Sequence, residues 1–346
     1  MLGICWIIGI SIAMVMDDSA MQLDFNSVAY GKAGTPIEAS LCEAEATMQF
    51  FSSAAADLKT SVAAAAEKDA ALNNQLAALA KKTASNKNLS IETYENIIVS
   101  RLGNAIYNYK GTNSNIMIFK LNKEGFRGYM AKIKLKNSTA LRVTLAPEDK
   151  VNGETTSQAA KRYGAIFAVN GGGFAYLTTD GVKRLVPLGT TMVKGSLVGD
   201  FQASYNNLSF AGFSKTNKLV GGQYQTEEDL LASGAWQGIS FVPALVRDWD
   251  PLTIPSKWAS AREPRTVLGQ YPNGDIFFIV VDGRESNNST GITLEEMQVL
   301  LLHLGIMEAF NLDGGGSSAM YYNGKILNSP SDGSQRKLAT NIVVMP

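Results

Sequence analysis

The sequence predicts an α+β fold: a β-rich mixed-sheet domain with packed helices, preceded by an N-terminal α-helical coiled-coil segment. Two textures predict it. Residues 38–82 are Ala-rich and carry a seven-residue apolar repeat, whereas from about residue 115 short β-branched and aromatic runs alternate with turns and short helices. A hydrophobic content of 45% against 18% charged residues adds that most of the chain has enough apolar surface to fold. The predicted layout is an apolar, irregular segment over 1–37, the helix over 38–82, a linker with a short helix over 83–114, and one large domain over 115–346.

The run LGICWIIGISIAMVM (2–16) is apolar throughout but short of the roughly 20 residues a membrane helix needs. It also lacks the Lys/Arg start of a secretory signal. An atypical export signal, a weak anchor, and a stretch ahead of a later start at Met14, Met16 or Met21 all remain open. In the helical segment, the first seam position of the heptad is held by Leu41, Met48, Ala55, Val62, Asp69 and Leu76. The second is held by Ala44, Phe51, Leu58, Ala65, Leu72 and Leu79, so only Asp69 breaks the stripe. One helix of about 65 Å cannot bury such a stripe by itself, which predicts a homo-oligomer through residues 41–79. The alternative is a helix folded back on its own domain. A polar stretch, KKTASNKNLS (81–90), follows, then a helix-like run over 91–106.

From 115 the strings NIMIFKL, GYMAKIKL and ALRVTLAP read as strands. Thr155-Thr156-Ser157 stands where a helix N-cap belongs, ahead of QAAKRYGA. AIFAVN (165–170) is a strand entering a glycine turn, and TVLGQYPNGDIFFIVVDG is a hairpin around Pro272-Asn273-Gly274-Asp275. Thr293 caps a second helix that Gly305 ends, EAFNLD is a further strand, and AMYYNGKIL makes a hairpin at Asn323-Gly324 before the last strand, NIVVMP.

Lys+Arg and Asp+Glu both count 31, so no global field favours nucleic acid or an anionic membrane. The single histidine, His303, lies in an apolar helical run and reads as a core residue, which disfavours His-based triads and multi-histidine metal sites. The two cysteines, Cys5 and Cys42, lie outside the large domain, which disfavours a disulfide framework, a zinc cluster or a thiol nucleophile there.

Five segments put polar residues at the ends of apolar strands: NGGGF (170–174), Arg265-Thr266, Asp282-Gly283-Arg284, NLDGGGSS (311–318), and Pro330-Ser331-Asp332 with Arg336. Strand ends hold functional groups rigidly while leaving them open to solvent. Triple glycines forfeit entropy and packing, and their benefit is close approach of backbone N–H groups to an anion. Neither run is a phosphate-binding P-loop, because no Gly-Lys-Ser/Thr follows. Asp282 and Asp313 read as a carboxylate pair for glycosidic cleavage, and Arg265, Arg284 and Arg336 as a fork for phosphate. Turn-capping aspartates and surface ion pairs are the simpler reading of each one singly.

Taken in order, NGGGF, RTVLG (265–269), VDGR (281–284), GITLEEM (291–297), NLDGGGSS, PSD and Arg336 resemble the phosphodiester glycosidase family. The family's first turn has two glycines before its aromatic residues, so the third glycine here is a departure. Nothing before residue 110 belongs to the resemblance. It implies a catalytic domain that hydrolyses a sugar-1-phosphodiester. It further implies that Asp313 and Asp282 supply carboxylate chemistry, that Arg265 and Arg336 hold phosphate, and that Asn170 with Gly171, Gly172, Gly173, Gly314, Gly315 and Gly316 orients substrate oxygens. Thr266, Arg284, Asn311, Ser317, Ser318 and Asp332 are expected as further substrate contacts. No cofactor is called for with certainty; a divalent cation near Asp282 and Asp313 is left open, with no ligand spacing that demands one.

The leading expectation is a glycan or glycosyl-phosphate hydrolase displayed on an oligomeric stalk, in a phage virion tail among tail proteins, acting on surface glycans such as teichoic acids or capsules. A non-catalytic carbohydrate-binding module and a secreted or cell-surface bacterial enzyme are the competing expectations.

Overall fold

The computed structural model describes residues 4–7, 10–17, 20–25, part of 47–74, and 89–346 except 124, 149–150, 260 and 286–288. Contacts divide the chain into two compact units, Met1–Lys68 and Asp69–Pro346. In the first, Ile4–Ile7, Ile10–Asp17 and Ala20–Phe25 form a three-stranded antiparallel sheet. Strands thus occur within the segment expected to be apolar and irregular over 1–37, where β-branched residues such as Ile10, Ile12 and Val15 favour extended backbone. No helix among the described residues is long and apolar enough to cross a membrane. The positions described within 47–74 are helical, but of the predicted coiled-coil seam only Met48 is among them. The coiled coil lies outside the described residues.

The second unit is built on an eight-stranded antiparallel sheet. Its central strands are Glu308–Leu312, Arg265–Gln270, Ile276–Val281, Phe126–Leu135 and Ser114–Lys123, in that spatial order. Ile276, Phe278 and Val280 point into one apolar core, whereas Phe277, Ile279 and Val281 point into another. Both faces of this strand are thus buried, which explains its unbroken apolar run. On the first face lie two five-stranded sheets, represented in the shared core by Val143, Phe167 and Ile342 and by Phe213 and Ile239. The other face is covered by helices Leu89–Leu102 and Leu294–His303 through Tyr94, Ile98, Met297 and Leu301.

The predicted strands and both predicted N-caps are present. Thr155 and Thr293 each close a capping box, with Gln158 and Glu296 as reciprocal partners. Two features differ. The 89–102 helix, expected within a linker, is packed into the core, and Tyr107–Lys110 joins the sheet edge. Glu95 of that helix reaches the buried Lys132–Asp275 ion pair at 3.2 Å. The stretch from 174 to 241, which carries no strong periodicity, supplies a hairpin (Phe174–Thr179 with Val182–Pro187) and all five strands of the second five-stranded sheet.

Candidate active site

Antiparallel pairing brings the polar strand ends together. Arg265 opens its strand opposite Val281, so Asp282 emerges beside it, and Thr266 pairs with Leu312, which places Asp313 at the same edge. Across from this edge, Asn170 ends the Phe167–Asn170 strand of a five-stranded sheet. Asn170 is fully buried and ties the two sheets. Its Nδ2 donates to the Asp313 carbonyl at 2.6 Å, while its Oδ1 accepts from Thr266 Oγ1 at 2.8 Å and from the Ala319 amide at 3.1 Å. Its side-chain oxygen and Thr266 are thus engaged within the protein, and both position the Asp313 turn from behind. Asn170→Ala is expected to cost about 2–4 kcal/mol of stability, since it orphans buried partners; chemical denaturation measures this.

A cleft of about 220 Å³ opens here, with Arg265, Arg284, Arg336, Asp313, Asn311 and Glu263 among its walls. Gly314, Gly315 and Gly316 form part of its floor, and Phe241 and Trp258 add aromatic surface. Arg265 is only 8% exposed. Its Nη2 and Nε donate to the Ala261 and Ile292 carbonyls at 2.8 and 3.3 Å, and it makes no ion pair among the described residues. Burial lowers its pKa, as expected for a cation deprived of water, with the Glu263 charge opposing this. A buried guanidinium without an ion-pair partner among the described residues, on a cleft wall, has the chemistry to receive an anion. The other two arginines are engaged: Arg284 Nε contacts Glu263 at 2.7 Å, and Arg336 contacts Asp332 at 2.6 Å and Ser317 Oγ at 3.4 Å.

Burial pushes the Asp313 carboxyl up to about 6, against hydrogen bonds from Ser317 and the Gly314 amide and the charge of Arg336. Asn311 donates through Nδ2 to Val242 at 2.7 Å, and its buried Oδ1 has no hydrogen-bond partner among the described residues. Asn311 is itself one of the residues that line the cleft. The second glycine run is shaped for the cleft. Gly315 has φ 56°, and a Cβ on Gly316 would collide with the Asp332–Arg336 pair.

Three expectations are corrected by placement. The first glycine run is no anion nest: the amides of Gly171, Gly172 and Gly173 donate to Thr340 O, Thr340 Oγ1 and Ser240 O at 3.1, 3.1 and 3.3 Å. Its glycines instead allow close packing, since a Cβ on Gly172 would lie 2.7 Å from Ser240 O. Asp282 does not line the cleft. Its Oδ1 accepts from Asn328 Nδ2 at 3.1 Å and from the Ser329 amide at 2.8 Å, and burial raises its carboxyl to about 6. Ser318 is buried, with no partner for its hydroxyl among the described residues, and it is absent from the cleft walls. Among the described residues, no group of three His, Cys, Asp or Glu side chains gathers as a metal site.

A family model described as phosphodiester glycosidase matches residues 163–345. The chain belongs to the phosphodiester glycosidase family. It is 33% identical over 199 residues to the SPbeta prophage-derived uncharacterized protein YomE of Bacillus subtilis, covering 56% of this chain and 30% of that protein. It is 30% identical over 197 residues to the N-acetylglucosamine-1-phosphodiester alpha-N-acetylglucosaminidase of Bos taurus, covering 52% and 36%. The chain thus spans about a third of the length of these relatives. Among solved structures, the zebrafish N-acetylglucosamine-1-phosphodiester alpha-N-acetylglucosaminidase catalytic domain, auto-inhibited by its pro-peptide, shares the fold with a TM-score of 0.54. That match is 21% identical and covers 70% of this chain and 86% of the other.

Within this phosphodiester glycosidase domain, sequence reasoning missed Glu263, Trp258, Phe241 and Asn328. Glu263 stands two positions before Arg265, and a carboxylate so close to a candidate phosphate ligand was the available signal. Nothing in the local sequence marks the other three.

Proposed function

We propose that this domain hydrolyses a sugar-1-phosphodiester, releasing the free sugar and a phosphomonoester. The observation that carries the reading is the cleft itself: an ion-pair-free buried Arg265 facing the same space as Asp313. In this reaction the anomeric C–O bond breaks and its electron pair leaves on the phosphate oxygen. Phosphate monoesters take up their second proton with a pKa of about 6, so this group departs at neutral pH without a general acid. Arg265 and Arg336 bind its charge. The ionised Asp313 carboxylate stabilises the cationic anomeric carbon and accepts the proton of the attacking water, whose hydroxyl stays on the sugar. The Trp258 ring on the cleft wall orients the sugar, and Asp282 acts from outside the cleft by fixing the 328–329 segment. The test is product analysis: free sugar and an intact phosphomonoester from a synthetic sugar-1-phosphodiester. Release of inorganic phosphate or of a sugar-1-phosphate would contradict it.

Asp313 must be ionised to act, and its carboxyl titrates at about 6. The pH profile of kcat/KM is therefore expected to fall roughly tenfold per unit on the acid side of about 6. Asp282 also titrates at about 6. Asp282→Asn separates the two: it keeps the Oδ1 acceptor, and is expected to retain both the acid limb and activity within about threefold.

The finer reading places this domain on a helical stalk over 41–79 that joins several copies, in a phage tail acting on a polymeric surface glycan. Its supports are the heptad pattern and the prophage-derived relative. Multivalent display raises the local concentration of sites on a polymer. Light scattering of the full chain, against a chain starting at Asn88, tests the assembly.

A further inference from the structure

We propose a second binding site beside the cleft, which holds the next phosphate-bearing repeat of a polymeric substrate; this rests on the hydrolase reading above. The site is a cavity of about 490 Å³ lined by Asn152, Phe174, Tyr176, Arg336 and Lys337. Arg336 also lines the cleft that contains Asp313, so the two cavities share this residue. A substrate whose scissile phosphate rests on Arg336 has its leaving chain directed into this second space. A small diester leaves that space empty, whereas a polymer fills it.

The lining chemistry suits a phosphate-linked sugar or polyol chain. It contains two cations, two aromatic rings and an amide; Arg336 is paired with Asp332, which lies outside the lining, so Lys337 carries the unpaired charge. Lys337 is exposed and makes no ion pair among the described residues, so its charge is available to a phosphate. Tyr176 is 54% exposed on the Phe174–Thr179 strand, where it faces Leu185 across the hairpin. Lys183 Nζ stands 4.3 Å from the centroid of its ring, which adds a third cation at the edge of the site. The hairpin is anchored, since the Leu185 amide donates to Val151 O and the Leu188 amide to Gly173 O, both at 2.8 Å. An aromatic residue held out on an anchored ribbon contributes little to the core, while its ring offers a platform for sugar or polyol C–H groups beside the cations.

The probe is a synthetic poly(glycerol phosphate) oligomer of about ten repeats, which contains no glycosyl phosphate and cannot be cleaved. Calorimetry is expected to show salt-sensitive binding to the full chain, weakened about tenfold or more in a Tyr176→Ala/Lys337→Ala double variant. The same variant is expected to turn over a small chromogenic sugar-1-phosphodiester within twofold of the unaltered protein. Absent binding, equal binding by the double variant, or an equal loss on the small substrate would each overturn the second site. Turnover of the small diester without oligomer binding sinks this inference and spares the hydrolase reading. Oligomer binding without any turnover does the reverse.

Discussion

Asp313→Asn is expected to lower kcat on a sugar-1-phosphodiester by about a thousandfold or more, the scale of losing a positioned acid–base group. The same change is expected to raise stability. The fold holds this carboxyl at about 6 instead of 3.8, chiefly through burial. A carboxyl whose pKa is raised by folding favours the native state in its protonated form. That contribution is complete below about 3.8 and disappears as pH rises through about 6, so at pH 7 the ionised group weighs against folding. A rise of this size corresponds to roughly 3 kcal/mol at most. An uncharged, isosteric Asn relieves part of it, and a melting temperature higher by several degrees at pH 7 is expected. At pH 4 the stability gain should largely vanish. Activity within a few fold of the unaltered enzyme would remove Asp313 from the reaction; lost activity with a lowered melting temperature would point to a damaged fold instead.

Arg265→Met carries the second large effect. Methionine keeps most of the apolar stem and removes a charge that has no carboxylate partner in the described structure. We expect a fall in kcat/KM of about a hundred- to a thousandfold, comparable to removing one preorganised donor at a transition-state anion. Ligand binding provides a readout that does not depend on turnover. Inorganic phosphate should raise the melting temperature of the unaltered protein in proportion to its occupancy, and should do so much less for Arg265→Met. Arg265→Lys is expected to recover only part of the loss, because an ammonium cannot reproduce the planar fork. Equal protection of all three proteins by phosphate would place the anion site elsewhere.

Much of the fold was legible because its elements announce themselves locally. The capping boxes at Thr155 and Thr293 and the Asn273-Gly274 turn are short-range signals that the tertiary structure has no reason to override. The Leu89–Leu102 helix falls where the sequence predicts a linker with a helix-like run over 91–106, and only the packing of Tyr94 and Ile98 in the core ties it to the sheet. For the site, Arg265, Asp313 and the Gly314–Gly316 turn were legible, since runs of polar and glycine residues at the ends of apolar strands have few purely structural uses. Asp282 looked equivalent to Asp313, as each follows an apolar strand; their difference lies in Asn328 and Ser329, which meet Asp282 from about 46 residues away. The Gly171–Gly173 run looked equivalent to the second run as well, until Thr340 and Ser240 claimed its amides.

By itself the sequence determined the family of the domain, the strands and caps that frame it, and several of the residues that line its cleft. Tertiary structure alone decided which of those residues share the cleft and which brace it from behind. The reason is physical: strand and turn propensities act over a few residues, whereas the direction a strand-end side chain faces depends on partners supplied by distant segments. Asn170 shows this most directly. Its place at a strand end is written locally, but its role as a buried tie between Thr266, Asp313 and Ala319 exists only once two sheets have met.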